Sequence, residues 1–175
     1  MKKLIIPFLA LILISFGCKK AEKLTQFDIN YSTTVIVPAS SGLNLPFNVF
    51  SPDMETNAES KFQINDTRKD KIEMINLKEL VLNLKSPSSS SLKFLKSIEI
   101  YIQADDIAET KVAWKDNVPD DVGSSLKLDV SGEDLTPYIM KDEFKLRVRT
   151  VTDEVITSDH EIEANSTFFV DAKLL

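Results

Sequence analysis

The chain contains a single cysteine, Cys18, and a single histidine, His160. A lone cysteine permits no disulfide within the chain, so the fold must rest on its hydrophobic core. One histidine and one cysteine also fall short of the common Cys/His zinc sets. Glycine is scarce, at four residues, and no Gly-rich phosphate loop is present. There is no G-x-S-x-G elbow to mark a serine nucleophile and no D-x-D-x-D-G to mark a calcium loop. No repeat appears at the periods of solenoids or propellers. The chain is therefore read as non-enzymatic, with no catalytic residue and no cofactor. Positive charge is short too: 21 Lys and Arg stand against 27 Asp and Glu, a net charge of −6. Without a basic cluster the electrostatic footprint of nucleic-acid binding is missing.

What is present begins with Lys2 and Lys3, an uninterrupted apolar run from Leu4 to Ile14, and Ser15-Phe16-Gly17 leading into Cys18. This is the three-part layout of a secretory signal. As a helix, residues 4–16 would extend about 20 Å against the roughly 30 Å of a bilayer core, too short for a span. A small residue, Gly17, directly before Cys18 at the end of such a run resembles the lipobox of bacterial lipoproteins. The basic CKKAEKL that follows is similar to the Bacteroidota (flavobacterial) type. The resemblance implies cleavage between Gly17 and Cys18, a diacylglyceryl group on the cysteine sulfur and an acyl chain, such as palmitate, on the new amino terminus. In related lipoproteins an acidic cluster after the cysteine marks export to the cell surface. Here Lys19 and Lys20 hold those positions, which implies an outer-membrane anchor with the domain facing the periplasm.

Three segments follow: a signal over 1–17, a lipidated tether over 18–24 and one domain over 25–175. Removing the signal leaves 158 residues with a net charge of −8, enough for one domain that buries roughly two-thirds of its unfolded surface. Seven tether residues reach about 25 Å at most. Lys19, Lys20 and Lys23 would each gain on the order of 1 kcal/mol beside anionic headgroups. From Leu24 onward the charge is −10, so the domain stands off the bilayer while its tether holds to it.

Period-2 alternation predicts strands over most of that domain. Phe27, Ile29, Tyr31, Thr33, Val35 and Val37 form the first, ended by Pro38. Leu45, Phe47 and Val49 suggest a short second. Residues 53–71 are polar and read as a long connection with about one turn of helix. Residues 71–85 read as a strand with a bulge near Asn76. Further strands carry Ile98, Ile100 and Ile102; Val112 and Trp114; and Leu126, Leu128 and Val130. Asp134 is placed to cap a helical turn bearing Leu135, Tyr138 and Ile139, with Pro137 inside its first turn. Phe168, Val170, Ala172 and Leu174 make a final strand. Seven to nine short strands and one short helical turn give an all-β fold: an antiparallel β-sandwich, immunoglobulin-like in architecture, without the Cys-Trp-Cys spacing of true immunoglobulin domains.

The two strands either side of Asp153-Glu154 carry opposite charges. Phe144, Leu146 and Val148 alternate with Lys145, Arg147 and Arg149, while Ile162 and Ala164 alternate with Asp159, Glu161 and Glu163. A hairpin centred on Glu154 would oppose Lys145 to Glu163, Arg147 to Glu161 and Arg149 to Asp159, each pair worth about 0.2–1 kcal/mol. The basic stripe is thus expected to be a structural charge ladder. The same register turns His160 inward, opposite Val148, as a structural histidine.

Trp114, in line with Val112, is expected in the core, and an exposed stacking platform for sugar is the alternative. Acidic pairs at Asp105-Asp106, Asp120-Asp121 and Asp153-Glu154 are expected to be solvated turns, unless they gather at one pole and bind Ca²⁺. The functional expectation is a lipid-anchored, non-enzymatic module of the cell envelope, attached to the membrane through Cys18 and meeting a protein partner there. The alternative is an adhesion domain for glycan or Ca²⁺ that uses Trp114 and the acidic loops.

Overall fold

The computed structural model describes residues 25–39 and 44–173. Signal, tether, Gly17, Cys18 and Leu174 lie outside the described residues. Among the described residues no helix is long and apolar enough to cross a membrane.

Two antiparallel sheets face each other. The first has the order β1 (Gln26–Val37), β10 (His160–Ala172), β4 (Ile72–Ser86), β7 (Ser125–Lys127). The second runs β2 (Phe47–Phe50), β9 (Glu143–Thr152), β5 (Leu95–Ala104), β6 (Ile107–Lys115), β8 (Asp129–Val130), with β3 (Met54–Glu55) also paired to β9. This is the antiparallel β-sandwich that the alternation implied.

The inward positions of both sheets merge in one core. Its aromatic centre crosses the gap between them: Tyr31 and Phe168 from the first sheet and Phe144 from the second lie 5.1–6.2 Å apart in edge-to-face pairs. Such pairing favours the rings beyond the area they bury. The Tyr31 hydroxyl donates to the Thr56 carbonyl at 2.7 Å, which satisfies a buried polar group, and burial pushes the phenol's pKa upward.

Four local expectations are corrected. First, the polar connection contains a helix, α1 (Ala58–Ile64), whose Ala58 and Phe62 are buried one turn apart. Phe62 seals the sandwich end against Phe27, 6.3 Å away between ring centres. Second, the single helical turn expected becomes two short α-helices among the described residues, because α1 forms in addition to the expected α2 (Thr136–Ile139), where Asp134 Oδ1 accepts from the Thr136 amide at 3.0 Å. Third, the alternating Leu126, Leu128 and Val130 do not share a strand. The chain changes sheets at Leu128, β7 pairing with β4 and β8 with β6. Fourth, β10 is continuous where two strands were expected. The bulge expected near Asn76 lies at Lys78, between the pairs Phe168–Leu77 and Thr167–Glu79. It lets Leu77 and Leu80 both face inward, although their numbers differ in parity.

Among the described residues only β5 and β6 make a hairpin of the simple kind, turning at Asp105-Asp106 between the paired Ala104 and Ile107. The segment from β9 to β10 crosses between the sheets and plugs the gap with buried Ile156. Strands β9 and β10 are therefore not neighbours, and the expected hairpin does not form.

Candidate functional site

The outer face of the second sheet gathers the unusual side chains. Strand β9 points Phe144, Leu146 and Val148 into the core, which turns Lys145, Arg147 and Arg149 outward. Its neighbour β5 sets Gln103 beside Lys145, Tyr101 beside Arg147 and Glu99 beside Arg149. Strand β6 adds Lys111 next to Tyr101 and Trp114 next to Glu99, and β2 adds Asn48 and the 56 % exposed Phe50.

Arg147 is the hub. Its side chain is only 14 % exposed. It donates from Nε and Nη2 to the two carboxylate oxygens of Glu109 at 2.8 and 2.6 Å and from Nη1 to Asn48 Oδ1 at 2.7 Å. The guanidinium also stacks 4.0 Å from the centre of the Tyr101 ring. A bidentate, stacked guanidinium of this kind is held in one geometry. The contact holds the Glu109 carboxyl below its ordinary range, with the amide of Gln103 adding to it, and raises Arg147. Beside it, Glu99 accepts from Arg149 at 2.7 Å, Tyr101 Oη at 3.2 Å and Lys111 at 3.3 Å. The hydrogen bond from Arg149 is the main reason that its carboxyl is also held low.

The basic stripe is thus neutralised on its own side of the sandwich, by partners other than those expected. Lys145 reaches Asp53 at 3.9 Å rather than Glu163. Arg147 takes Glu109 instead of Glu161, and Arg149 takes Glu99 instead of Asp159. The acidic residues lie across the sandwich: Glu163 meets Lys85 at 3.6 Å, Asp159 accepts from the Ala39 amide at 2.8 Å and Glu161 is exposed beside Ser86. Alternation decides which face of a strand is buried, but a sandwich offers that buried face in either sheet.

A carboxylate whose folded pKa is depressed contributes stability that is present above its unfolded pKa, about 4.3 for Glu, and lost as pH falls through the folded value. Glu99→Gln is therefore expected to lower the urea midpoint at pH 7 and to shrink the loss between pH 7 and pH 3. An undiminished acid loss in the variant would contradict the pairing.

Trp114 is half-buried on the outer face, not in the core as expected. A bulge at Val112 buries Val112 and Ala113 in succession and turns Trp114 outward, with the Lys111 ammonium 5.4 Å from its ring. The acidic loops do not gather at one pole. Glu154 lies by Lys93 at 3.2 Å, and the loop of Asp120 and Asp121 is tied there through the Leu92 amide and the Gly123 carbonyl. Asp105 and Asp106 stand at the far end of β5, about 30 Å away at 3.3 Å per residue, in a recess of about 330 Å³ with Asp53 and Glu143. Among the described residues no group of three or more His, Cys, Asp or Glu is placed to hold a metal ion. His160 is buried as expected, but it pairs with Val37 of β1 and not with Val148.

Sequence reasoning missed Phe50, Glu99, Tyr101 and Glu109 as members of a site. The outward alternation of Glu99, Tyr101 and Gln103 was their signal, but which strand lies beside them was not written in it.

No family model matches the chain, and no curated protein matches it. Solved structures similar to it include the acid-stable capsid of Helicobacter pylori bacteriophage KHP30, at 9 % identity and a TM-score of 0.37 over 86 % of this chain and 99 % of that one. Desmodium yellow mottle tymovirus is similar at 9 % identity and 0.29, over 86 % and 90 %. A structure of carbohydrate-binding modules from the β-sandwich superfamily is similar at 13 % and 0.28, over 88 % and 58 %. Likeness of this order concerns the fold alone.

Proposed function

We propose that the chain is a lipid-anchored binding module of the bacterial cell envelope that meets a protein partner through the outer face of its second sheet. The observation that carries this reading is the Arg147 hub. Its contacts fix Tyr101, Glu109 and Asn48 in place, and Arg149, Tyr101 and Lys111 hold Glu99 beside them, so the face spends little side-chain entropy when a partner docks. Arg, Tyr and Trp are the residues that dominate protein interfaces, and here they share one surface with exposed Phe50. Three strands about 30 Å long, β9, β5 and β6, with the short β2 and β8 at the edges, stand about 4.8 Å apart and present on the order of 550 Å², a large part of the roughly 800 Å² per partner of a standard interface.

Anchoring rests on the signal-like segment and Cys18. One acyl chain binds only marginally, and the several chains of a triacylated cysteine meet the two-signal requirement for stable anchoring. The basic tether keeps the sandwich within about 25 Å of the bilayer, and Lys19 and Lys20 favour the periplasmic side of the outer membrane. The glycan alternative is weaker, because the ring faces a sugar would stack on are attended by cations: Arg147 over Tyr101 and Lys111 beside Trp114. The Ca²⁺ alternative is weaker because Asp105 and Asp106 stand at the pole opposite the other two acidic loops, and no three of the described acidic residues are grouped to hold a metal ion.

A photo-crosslinking amino acid placed at Phe50, and separately at Asn165 on the outer face of the first sheet, tests the reading in cells of the native host. Adducts are expected from the Phe50 position alone. Equal adducts from both faces, or none from Phe50, would overturn it.

A further inference from the structure

The lone histidine has a partner that the sequence did not suggest. His160 opens β10, and its imidazole lies 4.5 Å from the buried Phe94 ring, centre to centre. Leu92 and Phe94, both buried, pin a 3-10 turn (Leu92–Phe94) at that place. The turn in turn fixes the preceding serine stretch, where the Ser90 amide donates to the Pro87 carbonyl at 3.0 Å. As a result Ser90 Oγ sits 2.9 Å from His160 Nε2, and His160 Nδ1 sits 2.9 Å from the Ser158 carbonyl oxygen.

The proton positions follow from the acceptors. A carbonyl has no hydrogen to give, so Nδ1 carries one and donates it to Ser158. In the neutral ring Nε2 is then a lone pair, and the Ser90 hydroxyl must be its donor. That is the order of nucleophile, base and orienting group by which a serine is activated. The half-buried Ser90 opens on a recess of about 290 Å³ whose walls include Pro87, Val155 and Ile156, with the Lys93–Glu154 pair at its rim. The volume lies at the small end of ligand pockets.

We infer that Ser90 and His160 form a nucleophile–base pair that attacks short-chain carboxylic esters in this recess. Ser90 Oγ forms a bond to the ester carbonyl carbon as its proton passes to Nε2. The tetrahedral adduct then expels the alcohol, whose oxygen takes that proton, and leaves an acyl-Ser90. Water, deprotonated by the same nitrogen, releases the acid and restores the serine. The Ser158 carbonyl orients the ring but bears no full charge, so it steadies the imidazolium less than a carboxylate would, and turnover is slow.

The test uses the full chain in detergent, with a fluorophosphonate probe and p-nitrophenyl acetate. Mapping by mass spectrometry should place the phosphonyl group on Ser90, about 100-fold faster than on Ser88, Ser89 or Ser91, the factor general-base assistance ordinarily supplies. Ser90→Ala should abolish that labelling and ester turnover, and Ser89→Ala should leave both unchanged. His160→Gln should lose them as well, with circular dichroism reporting whether the sandwich survives. Labelling of Ser90 no faster than of its neighbours, or unchanged ester turnover in Ser90→Ala, would overturn the assignment whatever the fate of the histidine variant.

Discussion

Replacing Phe144 with alanine is expected to lower the stability of the sandwich by about 3–5 kcal/mol, the range for truncating a large buried aromatic. Natural domains of this size hold only about 5–15 kcal/mol in all. The cost is high because Phe144 is 2 % exposed and meets Tyr31 and Phe168 from the opposite sheet. Its loss opens a void at the point where the two sheets touch, and the backbone of β9, paired to β3 at Phe144 and to β5 from Lys145 onward, cannot move in to fill it. Urea denaturation measures the effect. Phe50→Ala, a change of the same size on the 56 % exposed outer face, should cost less than about 0.5 kcal/mol. A Phe144→Ala loss below about 1 kcal/mol would mean that the aromatic cluster does not join the sheets as described.

Cys18→Ala is expected to abolish lipid attachment. A lipid anchor supplies about 0.8 kcal/mol per buried methylene. The variant should appear in the soluble fraction or persist as an unprocessed precursor with its signal attached, as read by fractionation and by the mass of the protein. Normal processing with unchanged membrane attachment would remove the anchoring part of the proposed function. It would leave the partner face to be judged by its own cross-links.

Much of the fold was legible because one side of nearly every strand is buried. Ile29, Tyr31, Val35 and Val37, and likewise Ile98, Ile100 and Ile102, alternate in sequence and line the core in space. The pattern failed wherever it was asked which strands are neighbours. Lys145, Arg147 and Arg149 were rightly placed outward, and their charges are neutralised as expected, but by acids from β5, β6 and the segment before β3. A hydrophobic pair in the supposed turn, Val155-Ile156, was the overlooked hint. Ile156 is buried, and a tight hairpin tip would have no core to bury it in. Trp114 was misplaced because a bulge shifts the period by one without any special residue to announce it. Ser90 and His160 are seventy residues apart, and only the 3-10 turn after the serine stretch brings them to hydrogen-bond distance. No local pattern could have shown that.

The first described strand has a mechanical meaning. Strand β1 opens the described domain and pairs with β10 along all twelve of its residues, Gln26 against Asp171 at one end and Val37 against His160 at the other. A pull on the chain ahead of Gln26, along the strand axis, does not peel the pairs apart singly. It loads the whole row in shear, so the rungs must give way together, and under the proposed anchoring the strand that would take up a load is held as a lap joint rather than as a zip.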